Sequence, residues 1–179
     1  FDIYEDPTKS PKYSEWLLRT QITPQMLVSS ETLYKKYSPV FFKNLATISD
    51  DKKIFEEINK IAYVSFDRSF DVLRTFYEDC QKKLGKDKEY LILTNIKDYK
   101  EYNEFSTKLI ENLDKKNINK LFSDEFNVSI RFDDLMPIYN KAKKLKVDKN
   151  LLNKIKAEII NRYQKEGKIR DILTNPEFK

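Results

Sequence analysis

Two adjacent carboxylates, Asp133 and Asp134, are the side chains in this sequence best suited to metal chemistry. They follow the alternating segment 126–132, and carboxylates at the end of a strand often hold Mg²⁺. Neighbouring residues of an extended segment point to opposite sides, so both could ligate one ion only if the chain bent there. We therefore interpret the pair as the N-cap of the next helix, where a carboxylate accepts from free backbone amides. No metal site is expected.

Glycine–lysine pairs occur at Gly85-Lys86 and at Gly167-Lys168. A phosphate-binding P-loop needs a further glycine upstream and a serine or threonine directly after the lysine, and neither pair has them. Glycine followed by a basic residue also ends helices, because glycine tolerates a left-handed backbone. We interpret both pairs as helix C-caps and expect no nucleotide or other cofactor.

The sequence contains no histidine. This excludes histidine-based acid–base catalysis, the Ser-His and Cys-His nucleophile pairs, and most ordinary zinc sites. The single cysteine, Cys80, cannot form an internal disulfide, and its position on a predicted apolar face is typical of a small buried hydrophobic residue. These features favour a non-enzymatic, cytoplasmic protein. The start at Phe1 rather than Met is also consistent with an excised fragment or a processed, secreted form.

The distribution of charge gives the strongest functional signal. Residues 141–179 contain twelve Lys/Arg and five Asp/Glu, a net charge of +7, whereas the whole chain carries +5. A basic segment of this kind suits the phosphates of nucleic acids, anionic lipid or an acidic protein partner. The candidate polyanion-binding residues are Lys141, Lys143, Lys144, Lys146, Lys149, Lys156 and Arg162.

Two tyrosines near these basic residues, Tyr139 and Tyr163, could stack on bases if they were exposed. Both fall on apolar helix faces, where burial is the simpler interpretation. No helix-turn-helix or RNA-binding motif accompanies them. A membrane partner is not expected either, because no 18-residue apolar run exists and the last helix has no distinct membrane-facing edge.

The element that must organise these residues is a long helix predicted at about 50–84. Its apolar residues recur at steps of three and four from Ile54 to Leu84, with capping residues before them and Gly85 after them. The segment Ile61–Phe66 is apolar nearly all round, so a short strand that breaks the helix is the alternative there.

Shorter elements are predicted on both sides of this helix. Each of three hydroxyl–proline pairs is expected to start a short helix: Ser10-Pro11, Thr23-Pro24 and Ser38-Pro39. Further helices are predicted at 96–115, from Asp133/Asp134 to about 145, and from the cap Asp148 to Gly167. The apolar run 90–94 and the strict alternation at 126–132 predict at most a minor two-stranded β element.

The sequence therefore predicts a mainly α, compact multi-helix domain around the long central helix. Only two glycines and an apolar fraction of 40% are typical of a folded helical protein. The length suits one domain, 1–179, with subdomains 1–85 and 86–179 as the alternative. We expect a non-enzymatic interaction domain that contacts a protein partner. The alternative is a helical nucleic-acid-binding module, including one that forms part of a larger nucleic-acid enzyme.

Overall fold

The computed structural model describes residues 24–64, 70–123 and 125–179. Every regular element in these ranges is helical, which confirms the predicted mainly α fold class. The chain divides into two compact units, Phe1–Lys97 and Asp98–Lys179.

The described part of the first unit contains five helices around a shared apolar core. The shortest, α5, is buried along its whole length and lies against α3 and α4, while α1 packs on α2, α3 and α4. The helices are α1 (Pro24–Ser29), α2 (Glu31–Leu45), α3 (Asp51–Val64), α4 (Phe70–Leu84) and α5 (Glu89–Leu93).

Helices α3 and α4 are the described parts of the predicted long helix. Their predicted apolar face is buried, and Gly85 ends α4 with a positive φ of 79°, as expected of a C-cap glycine. The strand alternative is wrong for residues 61–64, which are helical; residues 65–69 lie outside the described residues. The buried residues include Ile54, Ile58, Ile61, Leu73, Phe76 and Cys80.

The helix start predicted at Ser38-Pro39 is wrong, because both residues lie inside α2. The N-cap of α2 is Ser30, whose hydroxyl accepts a hydrogen bond from the Leu33 amide at 3.1 Å. An internal proline costs roughly 3 kcal/mol, but each fully buried large side chain contributes about 1.5–3 kcal/mol. The buried neighbours of Pro39 on α2 therefore outweigh its cost: Tyr37, Val40, Phe41 and Phe42.

The other two hydroxyl–proline pairs have different outcomes. The described part of helix α1 starts with Pro24 of the second pair, and Thr23 lies outside the described residues. The pair Ser10-Pro11, and the helix predicted after it, lie outside the described residues.

The strand predicted at 90–94 is wrong, because residues 90–93 belong to α5. A short apolar run enclosed on all sides has no solvent face, so its periodicity does not distinguish a buried helix from a buried strand. The residues that follow Leu93 end helix α5. The Thr94 hydroxyl and the Asn95 side-chain amide both donate to the Leu91 carbonyl, at 2.8 Å each.

The second unit is arranged around α8, which packs against α6, α7 and α9. The buried face of α8 carries large apolar residues that are almost completely inaccessible to solvent, including Leu135, Ile138 and Tyr139. The helices are α6 (Asn103–Glu111), α7 (Lys115–Leu121), α8 (Phe132–Lys144), α9 (Lys149–Lys165) and α10 (Arg170–Leu173).

The helix predicted at 96–115 is shorter than expected, because α6 begins only at Asn103 after a 3₁₀ turn, ends at Glu111, and is followed by a separate helix capped by Asp114. The Asp114 carboxylate accepts from the Asn117 amide at 2.7 Å. A single periodic pattern therefore covers the end of one helix and the start of another.

The strand predicted at 126–132 is also wrong. Residues Asn127–Ser129 form a 3₁₀ turn, and α8 begins at Phe132. Phe126 and Ile130 are both buried, and their separation of four residues fits a helical turn as well as an alternating strand. No strand lies within the described residues to pair with this segment, so local alternation did not decide its conformation.

A four-residue connection joins α8 to α9 as a helical hairpin. The Val147 amide donates to the Ala142 carbonyl at 3.2 Å, and Lys146 takes a positive φ of 57° at the end of α8. The predicted cap of α9 is confirmed, because the Asp148 carboxylate accepts from the Leu151 amide at 2.8 Å. Phe132 contacts Tyr163, with 4.5 Å between ring centroids, so the start of α8 lies beside the end of α9.

The positive φ of Lys146 leads to a stability prediction. We expect Lys146→Gly to raise the free energy of unfolding by about 1 kcal/mol, because glycine adopts this conformation without strain. Lys144→Gly, inside α8, is the matched control and should lower the free energy of unfolding by about 1 kcal/mol. Urea unfolding followed by the amide NMR signals of α8 and α9 measures both. Destabilisation by both substitutions would contradict the left-handed cap.

Candidate polyanion-binding site

Four lysines surround the connection between α8 and α9, and we call Lys143, Lys144, Lys146 and Lys149 the basic turn. The chain brings them together, since they lie in the last turn of α8, in the connection and at the start of α9. Positive charges at the C-terminal end of α8 interact favourably with the partial negative charge of its helix dipole. The side chains of Lys144, Lys146 and Lys149 are exposed, and none forms an ion pair with a described residue.

The predicted residue Lys141 extends this surface to the end of α6. Its ammonium group donates to the Glu111 carbonyl at 2.8 Å. Four residues further along the chain, α7 begins with the exposed lysines Lys115 and Lys116. The sequence pattern does not point to these two lysines, because the contact between α6 and α8 is tertiary. Asp114 lies beside them and offsets part of their charge.

Lys143 differs from the other lysines of the basic turn, because Glu177 neutralises it. Its ammonium group donates to the two carboxylate oxygens of Glu177 at 3.1 and 3.0 Å. It also lies 4.8 Å from the centre of the Tyr139 ring. The hydrogen bond from Lys143 lowers the pKa of Glu177 most, while partial burial raises it, and the charge of Lys156 lowers it further.

The remaining two predicted residues have different positions on α9. Lys156 lies seven residues after Lys149, which is two helical turns, so both side chains are on one face of α9. Arg162 lies thirteen residues after Lys149, about 20 Å along the helix and on the other side. Its Nη1 atom is buried without a hydrogen-bond partner among the described residues. The structure therefore brings Lys156, but not Arg162, to the basic turn.

The tyrosines considered for base stacking are held by other aromatic rings. Tyr139 is buried against Phe178, with 5.3 Å between ring centroids, and half-buried Tyr163 contacts Phe132. Burial, with a smaller effect of Glu177, raises the pKa of Tyr139 to about 12. Neither tyrosine presents a free ring face beside the basic turn.

The prediction that Asp133 or Asp134 caps α8 is wrong, because the N-cap is Arg131 and both aspartates lie in the first turn. Asp134 is only 3% exposed and accepts a hydrogen bond from the Ser106 hydroxyl at 2.9 Å. Burial raises the pKa of Asp134, and this outweighs the opposing effects of Arg131 and Ser106.

The partner of Asp134 is the buried guanidinium of Arg131, 3.6 Å away between Nε and Oδ2. Arg131 also donates to the Asn103 side chain, so the start of α8 is tied to α6. The exposed carboxylates of Asp98 and Asp133 lie 3.6 and 3.9 Å from the guanidinium. The aspartates thus surround a protein cation, and no group of three acidic or cysteine residues in the described ranges is arranged to hold a metal ion.

The first unit contains a separate pocket of about 380 Å³ between α2 and α4. On its wall, the Tyr34 hydroxyl donates to the Asp79 carboxylate at 2.5 Å, and burial together with this carboxylate raises the pKa of Tyr34. Glu31 and Asp71 add two further carboxylates, and nothing in the sequence pattern had singled them out. Clustered carboxylates alone do not define a ligand, so this pocket supports no function.

None of the described helices combines the length and the apolar character needed to cross a bilayer. Comparison of the chain with models of protein families, with curated proteins and with solved structures finds no match. The function is therefore inferred from the chain's own geometry.

The buried pair leads to a second stability prediction. A double-mutant cycle with Arg131→Ala and Asp134→Ala should give a coupling energy above about 1 kcal/mol, since each substitution alone leaves a buried charge. The exposed pair Glu104–Lys108 in α6 is the control and should couple by less than about 0.5 kcal/mol. Urea unfolding of the four variants of each cycle measures both energies. Equal coupling in the two cycles would contradict a structural role for the buried pair.

Proposed function

We propose that this chain is a non-enzymatic helical binding domain that contacts the phosphates of nucleic acids through the basic turn. The observation that carries the proposal is the exposure of Lys144, Lys146 and Lys149 on one turn, with no ion pair to any described residue. Exposed lysines that neutralise phosphates release condensed counterions, and this release drives sequence-independent binding. Lys141 and Lys156 extend the charged surface on either side of the turn.

The character of the side chains favours contact with phosphates over contact with bases. Lysine acts as a compact point charge, whereas specific base readout relies on planar, bidentate groups such as arginine. Tyr139 is buried, and Tyr163 contacts Phe132, so neither offers an open ring face to a base. The proposed contact therefore positions a nucleic-acid backbone and carries little sequence preference.

A protein partner, the first hypothesis from the sequence, has less support from the described surface. Protein interfaces are centred on apolar and aromatic side chains and are depleted in lysine. Among the described residues, the exposed large hydrophobic side chains are Tyr63, 81% exposed, and Leu173, 45% exposed. These two residues belong to different units, so each unit has one such side chain among its described residues.

Two observations support the non-enzymatic part of the proposal. The Asp134 carboxylate is occupied by Ser106 and Arg131, so it is not presented to a substrate. The Cys80 thiol is fully buried, and burial raises its pKa, which opposes formation of a nucleophilic thiolate.

The proposal predicts weak, salt-dependent binding to double-stranded DNA. We expect a dissociation constant in the range of roughly 10⁻⁴ to 10⁻⁶ M near physiological salt, similar for unrelated sequences. Changing Lys144, Lys146 and Lys149 together to Gln should reduce the slope of log K against log salt by about 3, because each charge contributes about 0.9. Fluorescence anisotropy with labelled 20-base-pair duplexes at several salt concentrations measures this slope.

The matched control removes three exposed lysines from the first unit: Lys52, Lys53 and Lys83 to Gln. It changes the net charge by the same amount and should leave the salt slope nearly unchanged. Equal weakening by the two triple variants would show that only net charge matters, which contradicts a site at the basic turn. Absence of binding by the unchanged chain at 50 mM salt would show that the proposed function is wrong.

A further inference from the structure

The carboxylate of Glu177 lies among the basic residues of the proposed site. Lys143 donates to both of its oxygens, and the nearby Tyr139 hydroxyl helps to lower the pKa of this carboxyl. Lys156, from the neighbouring helix, contributes a favourable charge to the same carboxylate. A carboxylate that is held by the Lys143 ammonium group, with the Tyr139 hydroxyl and the Lys156 charge nearby, indicates a place suited to an anion.

The position of these groups follows from the packing of α8 on α9. Tyr139 and Lys143 are four residues apart and therefore share one face of α8, while Lys156 lies on α9. One hydroxyl donor and two ammonium groups converge from two packed helices. A phosphate oxygen requires the same combination of charge and hydrogen-bond donors as the carboxylate.

The segment that carries Glu177 is held mainly by apolar contacts rather than by the ion pair. Phe178 is buried against the Tyr139 ring, and Ile172 is buried in α10. The Asn175 side chain accepts from the Glu177 amide at 3.0 Å and fixes the last turn. The Lys143–Glu177 pair itself is substantially exposed, with side-chain exposures of 36% and 41%. Exposed ion pairs contribute little stability, so the carboxylate is easily displaced while Phe178 stays in place.

We propose that Tyr139, Lys143 and Lys156 form a phosphate-binding subsite, and that Glu177 occupies this subsite as an internal competitor. This inference rests on the proposed function, because the phosphate belongs to a nucleic acid bound at the basic turn. In the free protein, Glu177 neutralises part of the basic surface. When the nucleic acid binds, a phosphodiester group replaces the carboxylate, and one anion is exchanged for another of equal charge.

The test compares the unchanged chain with Glu177→Gln and Glu166→Gln by anisotropy with the 20-base-pair duplex. Glu177→Gln should bind about three- to fivefold more tightly at low salt, with the slope of log K against log salt steeper by about 1, because one more lysine becomes available. Glu166→Gln makes the same change of charge beyond the other end of α9, about 25 Å from Lys149. This distance exceeds the screening length, so its effect on affinity should be much smaller.

The outcomes separate this inference from the proposed function. If the unchanged chain binds DNA and the two variants bind equally well, the competitor role of Glu177 is overturned and the function at the basic turn stands. If none of the three chains binds, both are overturned. Binding by Glu177→Gln alone would support the competitor role of Glu177 but would overturn the proposed function of the unchanged chain.

A second variant tests the subsite itself. Tyr139→Phe keeps the ring that packs on Phe178 but removes the hydroxyl donor. Combined with Glu177→Gln, it should cancel part of the gain in DNA affinity. An undiminished gain, together with unchanged NMR signals of the Lys143 ammonium group on titration with inorganic phosphate, would overturn the assignment of these residues as a subsite.

Discussion

The packing of α8 against α6 and α9 is the constraint on which the second unit and its candidate site depend. Helices of seven to seventeen residues are marginal in isolation, so they persist because each buries an apolar face. Leu135, Ile138 and Ala142 are completely buried on α8. Because this face of α8 is buried, the other residues of its last turn point to solvent, and several of these residues are lysines. The geometry of the basic surface is therefore a consequence of core packing.

The start of α8 is held differently from its end. Arg131 and Asp134 are both buried. The free-energy cost of removing their charges from water exceeds the attraction that an exposed ion pair would provide. Hydrogen bonds to Asn103 and Ser106 compensate part of that cost and tie α8 to α6 in one arrangement. Two guanidinium nitrogens of Arg131 have no hydrogen-bond partner among the described residues, so the cluster is incompletely satisfied. The Arg131–Asp134 cluster therefore specifies how α6 and α8 meet, as well as stabilising them.

The proposed activity and its internal restraint use the same surface. The connection between α8 and α9 concentrates positive charge, and the only carboxylate that contacts a lysine of the basic turn within the described residues belongs to Glu177. Phe178 anchors that carboxylate by burying its ring on Tyr139. Under the proposed function, Glu177 is a weak internal anionic ligand, and a bound nucleic acid would replace it at Lys143.

Features that depend on residues close together along the chain are predictable from the sequence. The buried faces of α3 and α4, the Asp148 cap and the positive φ of Gly85 and Gly167 were all predictable, because helix periodicity and capping are local. The basic character of residues 141–179 was likewise visible in the composition. These features fix the fold class and the location of the charge.

Tertiary packing determines the conformations of 90–94 and 126–132, the helical environment of Pro39 and the burial of Asp134. Local pattern failed there because burial on several sides removes the solvent face from which periodicity is read. The contact between Lys143 and Glu177 joins residues 34 positions apart in the chain. No local rule predicts such a pair, because it exists only where two helices and a returning segment pack together.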